Sequence, residues 1–286
     1  MQAALCLGAS AVAQAPGAVP TDRFGPPACG KGVSPAAATV MLDHARHELD
    51  EGARDPKALP AAEPVENFAM ARYRLMAYGD CAGEGACYWA DLDAQFRRAE
   101  AALGRELAGR RAGEKLAMVM DIDETTLTNY CEMRREDFGY VASLYGPWEV
   151  SPEAAVAIPG ARRLYAQARA AGVAVFFITG RAGTPDAATG SAAGAAGGDG
   201  PVRKDETEAT ARNLEAAGFK GWAGLRLRNG NERTMPTIKY KSEERRKIAE
   251  QGYRIVLSVG DQWSDLQGEP KAELSVKLPN PFYFIP

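Results

Sequence analysis

With 286 residues, of which 46% are apolar and 25% charged, the chain is long enough to bury a sizeable core and too apolar to be broadly disordered. A net charge of -3, from 34 basic and 37 acidic residues, gives no electrostatic footprint for a nucleic acid, and no basic, aromatic-rich stretch stands out.

The first fifteen residues are largely apolar and end in Ala13-Gln14-Ala15, which resembles a signal peptide without its basic start. Residues 1–20 are therefore expected to direct export, to the periplasm or the exterior. No later run reaches the roughly eighteen apolar residues of a membrane span. Residues 16–35 are rich in Pro and Gly and read as extended. Helical periods follow at about 36–50, 62–79 and 88–111. The last sets Trp89, Leu92, Phe96, Ala99 and Leu103 at three- and four-residue intervals, a stripe suited to a core. Residues 21–112 are expected to form a helical extension packed on the rest of the chain.

If a leader ends at Ala15, Cys29, Cys81, Cys87 and Cys131 remain, and four cysteines allow three pairings. Cys81 and Cys87, six apart across a Gly-rich turn, are the easiest local pair, and an exported compartment permits it. The cysteine spacing is too irregular for zinc. The only histidines, His44 and His47, read as a polar helical face.

From residue 113 onward, apolar runs alternate with helical periods at about 160–171, 204–217 and 242–251, the pattern of an α/β doubly wound parallel sheet. The run Ala117-Met-Val-Met ends abruptly in Asp121-Ile-Asp123-Glu-Thr, and such sheets bind ligands just beyond the carboxyl ends of their strands. Two carboxylates one residue apart, at a place where the backbone can turn both into one crevice, suit phosphoryl transfer. Two further runs end in Thr179-Gly180-Arg181 and in Gly260-Asp261-Gln-Trp-Ser-Asp265, with Tyr240-Lys241-Ser242 between them. A phosphate needs hydroxyl and backbone N–H donors, a fixed cation and usually a divalent metal, and these residues supply them.

This order of motifs, DxDxT, then TGR, then Lys, then GDxxxD, resembles the haloacid dehalogenase (HAD) superfamily of phosphohydrolases. The words DIDETTLTNY, YKSEERRKI, GYRIVLSVGDQWSDL and KLPNPFYFIP are similar to its acid phosphatase branch, subfamily IIIB, which includes plant vegetative storage proteins and secreted bacterial enzymes of the class C kind. GDQWSDL itself resembles the plant-type word. The resemblance implies a HAD-like Rossmannoid core over residues 113–286, with a cap-like insertion at 130–157. It also implies Mg²⁺-dependent hydrolysis of small phosphomonoesters through an aspartyl phosphate. Asp121 is then the nucleophile and Asp123 the general acid and base. Thr179, Gly180 and Lys241 bind the phosphate. Asp121, the main-chain carbonyl of Asp123, and Asp261 hold Mg²⁺, with Asp265 supporting the metal or Lys241.

Lys241 is expected to open a helix running into Ser242-Glu-Glu-Arg-Arg-Lys-Ile. The insertion carries Tyr130, Phe138, Tyr140, Tyr145 and Trp148 on a loop-like cap that could stack a base or an aryl group, although half or more of these rings would serve packing. Residues 182–202 are low in complexity and read as a flexible, tolerated insertion. An exported storage or phosphate-binding protein without turnover is the alternative reading. A receiver domain, which also uses an Asp, a Thr or Ser and a Lys, is disfavoured by Asp123, by GDxxxD and by the export-like start. The sequence leaves open whether the chain forms a homodimer.

Overall fold

The computed structural model describes residues 27, 29, 35–57, 65–81, 86–185 and 204–285, with side chains left aside at 35–42 and 52. The expected leader at 1–20 and nearly all of the low-complexity insertion lie outside the described residues.

Among the described residues three helices come first: α1 (Pro35–Arg54), α2 (Phe68–Gly79) and α3 (Tyr88–Ala108). On α1, His44 and His47 face solvent and pair with Glu48 and Glu51 one turn on. Asn67 caps α2 by accepting the Ala69 N–H at 2.9 Å. The predicted stripe on α3 is buried as a whole: Trp89, Leu92, Phe96, Ala99 and Leu103 all enter the main core.

The sheet has five parallel strands in the order β3-β2-β1-β4-β5, formed by β1 (Lys115–Met120), β2 (Ala174–Ala182), β3 (Gly224–Arg228), β4 (Tyr253–Gly260) and β5 (Leu274–Lys277). Strand side chains alternate faces. Leu116, Met118 and Met120 of β1 therefore join one core with Val175 and Phe177 of β2, while Ala117 and Val119 join another with Phe176 and Ile178. The first core is covered by α3, by α6 (Pro159–Ala170) and by α7 (Thr207–Ala216); the second is covered by α8 (Thr237–Glu250). A Cβ on Gly160 would lie 2.5 Å from the ring of Phe96, so α3 and α6 approach through a position that only glycine fits. The chain winds outward from β1 to β3 along one face and returns to β4 along the other. The strand order reverses at β1, and its carboxyl end is the crevice where such sheets take ligands.

Between β1 and β2 the insertion is more ordered than the loop expected. It contains α4 (Tyr130–Arg135), α5 (Ala142–Glu149) and a 3₁₀ turn at Pro152–Ala154. These segments are too short, and too interrupted by Gly139, Gly146 and Pro147, for their periodicity to be read from sequence. Tyr130 is fully buried and donates to Asp80 at 2.6 Å, and Phe138 stacks on Phe282 at 5.2 Å, so both rings serve packing; Tyr140 is two-thirds exposed. Among the described residues two disulfides are present, the expected local Cys81–Cys87 and the long-range Cys29–Cys131.

Candidate active site

At the end of β1 the Asp121 N–H still donates to the Val259 carbonyl of β4 at 3.0 Å, after which the chain folds back. The Thr126 and Leu127 N–H groups donate to the Ile122 carbonyl at 2.8 and 2.9 Å, and the Thr126 hydroxyl to the Asp121 carbonyl at 2.6 Å. This turn places Glu124 in the left-handed region at φ 53°, uncommon for a residue with a side chain and sustained only where the surroundings over-determine it. They do so here: the fully buried Glu124 carboxylate accepts the Asn129 N–H at 2.6 Å, the Asn129 side-chain amide at 2.8 Å and the Tyr283 hydroxyl at 3.1 Å.

Burial, reinforced by Asp123, pushes Glu124 up to about 8 from its ordinary 4.5. Its folded form thus keeps a proton that the unfolded chain releases, and stability contributed below pH 4.5 is lost as pH rises toward about 8. Denaturant titrations of metal-free protein across that window should show this decline, and Glu124→Gln should flatten it; parallel curves for the two proteins would contradict the assignment.

Opposite this turn, β4 ends at Gly260 and Asp261. A Cβ on Gly260 would sit 2.3 Å from the Asp265 side chain, so glycine lets α9 (Trp263–Leu266) fold back under the strand end. Asp261 Oδ2 accepts from the side-chain amides of Gln262 and Asn280, each at 2.7 Å, and Oδ1 accepts from the Thr125 hydroxyl at 3.1 Å. Asp265 accepts the Gln262 N–H at 2.8 Å and the Lys241 ammonium. Behind it the fully buried Arg245 donates to the carbonyls of Asp265, Gly268 and Pro270 at 2.7, 2.9 and 2.8 Å, and to that of Gln267. Four carbonyls on one guanidinium fix the loop that carries Asp265.

Lys241 lies on the second turn of α8, which begins at Thr237 after Pro236, so it does not open the helix as expected. From there it bridges the two arms of the site, donating to Asp121 Oδ1 at 2.5 Å and to Asp265. Burial opposes its charge, yet Asp121 and Asp265 hold its pKa above the ordinary value. Asp121, Asp261 and Asp265, all buried, each place an oxygen so that the three lie within 4.8 Å of one another. Burial pushes Asp121 well up, with Lys241 pulling against it and the neighbouring carboxylates adding to the rise; burial and Asp265 push Asp261 up to about 6. Three buried carboxylates against one ammonium leave negative charge unmatched, and an all-oxygen donor set of this kind fits a hard divalent cation.

The Asp123 side chain stands outside that cluster. It is gripped side-on by Arg181, with Nη2 to Oδ1 at 2.7 Å and Nε to Oδ2 at 3.1 Å, while the Asn129 amide donates to Oδ1 at 2.9 Å. Thr179, fully buried in β2 three residues before its end, holds its hydroxyl 3.5 Å from Asp123 Oδ2 and accepts the Arg181 N–H at 3.2 Å. Beside Gly180 the position a side chain would take is open space, which leaves room for a ligand oxygen.

The site thus gathers Asp121, Asp261, Asp265 and Lys241 tightly, with Asp123, Thr179 and Gly180 at its rim. Asn129, Arg181, Gln262 and Asn280 were legible only as parts of motif words, without their partners, and Glu149 had no sequence signal.

A parallel sheet whose carboxyl edge carries clustered carboxylates, a bridging lysine and a threonine on the neighbouring strand defines a HAD-like site. The chain belongs to the HAD superfamily, subfamily IIIB (acid phosphatase), which it matches over residues 58–198 and 202–286. It is 34% identical to Acid phosphatase 1 of Solanum lycopersicum over 172 residues, 58% of this chain and 58% of that protein. It is 32% identical to a Stem 31 kDa glycoprotein of Glycine max over 171 residues, covering 58% and 59%. Vegetative storage protein 1 of Arabidopsis thaliana is 28% identical over 172 residues, covering 59% and 55%. The chain therefore spans under two thirds of the length of these relatives. The class C acid phosphatase of Bacillus anthracis shares the fold, with a TM-score of 0.52 at 24% identity over 76% of this chain and 84% of that one. A second structure of that enzyme, with tungstate bound, gives the same score over 75% and 86%.

Proposed function

We propose that the protein is an acid phosphatase that hydrolyses small phosphomonoesters with Mg²⁺ as its cofactor. The observation that carries this reading is Asp121, buried in a carboxylate cluster and held by Lys241, beside a second carboxylate, Asp123, that is positioned separately. Asp121 attacks phosphorus as the ester P–O bond breaks, and Asp123 gives its proton to the leaving oxygen. Water then attacks the aspartyl phosphate, Asp123 takes the water's proton, and phosphate departs with the Asp121 carboxylate restored. The Thr179 hydroxyl, the Gly180 N–H and the Lys241 ammonium hold phosphate oxygens, and Asp265 keeps Lys241 in line. Asp121, the Asp123 carbonyl and Asp261 would hold Mg²⁺, which would neutralise part of the phosphate charge when bound.

Two disulfides suit an oxidising compartment, and with the leader-like start they support export to the periplasm or the exterior. Relatives named as storage proteins favour a second reading, a phosphate-binding protein without turnover. The test is phosphate release from p-nitrophenyl phosphate at about pH 5 to 7, where a carboxylic general acid can operate, with Mg²⁺ or with EDTA. Turnover lost on chelation and restored by Mg²⁺ is expected. Absent turnover in folded, metal-loaded protein that still binds phosphate would select the storage reading.

A further inference from the structure

Arg181 is a large charged side chain that is only 1% exposed, and the hydrolytic chemistry as drawn gives it no task. Its contacts are all directed. One edge of the guanidinium meets both oxygens of Asp123, Nη1 reaches the Thr210 hydroxyl of α7 at 3.3 Å, and Nε lies 3.4 Å from the buried Glu149 carboxylate at the end of α5. Burial opposes its charge, but Asp123 and Glu149 keep the guanidinium cationic. A planar fork fixed on two sides this way sets the plane of the carboxylate it holds, which a lysine, as a point charge, does not.

The orientation imposed on Asp123 is specific. Oδ1 receives both Arg181 Nη2 and the Asn129 amide, whereas Oδ2 receives Arg181 Nε and is the oxygen turned toward the Thr179 hydroxyl. Thr179 marks the place of the phosphate in the proposed reaction, so Oδ2 faces the ester oxygen that departs.

We propose that Arg181 is a positioning residue for proton transfer: with Glu149 as its anchor, it holds Asp123 so that Oδ2 delivers the proton to the leaving oxygen as the P–O bond breaks. This rests on the hydrolytic reading. It also ties the cap to the chemistry, because Glu149 belongs to the insertion and Arg181 to the sheet.

A poor leaving group depends on that proton far more than p-nitrophenolate does. The test compares kcat/KM of wild type, R181Q and R181K on an alkyl phosphate and on p-nitrophenyl phosphate, with inorganic phosphate as inhibitor. For R181Q the alkyl ester should lose on the order of 100-fold, the contribution of a positioned general acid, and the aryl ester less than about 10-fold. Most of the loss should fall in kcat, phosphate inhibition should hold within about 3-fold, and R181K should recover only part of the alkyl activity. Equal losses on both esters with phosphate inhibition weakened in proportion would make Arg181 a phosphate ligand and overturn the proposal, as would no loss. Should R181Q fail to fold by circular dichroism, E149Q decides, since it keeps the guanidinium and removes its anchor: a smaller loss biased toward the alkyl ester supports the proposal, and a uniform or absent one overturns it. Absent wild-type turnover would sink the hydrolytic reading and this inference together, whereas a flat leaving-group profile with intact wild-type turnover would sink the inference alone.

Discussion

Asp121→Asn is expected to remove phosphate release by about 10⁴-fold or more, the scale on which a covalent enzyme loses its nucleophile, while leaving a folded protein. The amide is nearly isosteric, and it ends the repulsion among Asp121, Asp261 and Asp265 that burial makes expensive. The Lys241 ammonium keeps Asp265 as a charged partner. Burst kinetics with p-nitrophenyl phosphate and a thermal melt would check both parts. Residual turnover within about 10-fold of wild type would mean that Asp121 does not attack phosphorus.

Lys241→Met should have the largest effect on stability. Lys241 is 4% exposed and its ammonium joins Asp121, just past β1, to Asp265 on α9, so its loss leaves two buried carboxylates without their counter-charge. Breaking one partner out of a buried ion pair costs about 3–5 kcal/mol. The cost should shrink as pH falls, because Asp121, already raised by burial, can then accept a proton and stop being a charge. Added Mg²⁺ should return part of the loss at neutral pH by supplying positive charge to the same oxygens. Urea unfolding at two pH values, with and without Mg²⁺, measures all three effects; a loss under about 1 kcal/mol at neutrality would show the pair to be unimportant for stability.

These outcomes depend on groups whose legibility in the sequence differed for physical reasons. Asp121, Asp261 and Thr179 each follow an apolar run, the first two just past β1 and β4 and the third near the end of β2, and parallel strands bring their ends to the same edge whatever else the chain does. The sheet and the α3 stripe were readable on the same ground, that a period of two or of 3.6 is a local property. Lys241 was harder. Lys239 stands two positions away on a different face of α8, is exposed and pairs with Glu243, and only the helix phase set by its start at Thr237 sends Lys241 inward. Asn280 and Gln262 converge on Asp261, and Arg181 meets Asp123, through contacts between separate segments, which no periodicity encodes. The cap helices were missed because their turns are too few for a period to emerge.

The Cys29–Cys131 bond joins residues 102 positions apart and so closes a covalent ring around α1, α2, α3, β1 and the Asp121–Asp123 turn. Within that ring the chain can be cut by a protease at any single peptide bond without the pieces separating. The bond thus makes the helical N-terminal segment and the strand leading to Asp121 inseparable by one cleavage, so a nicked molecule would keep every residue of its candidate site in one covalent body.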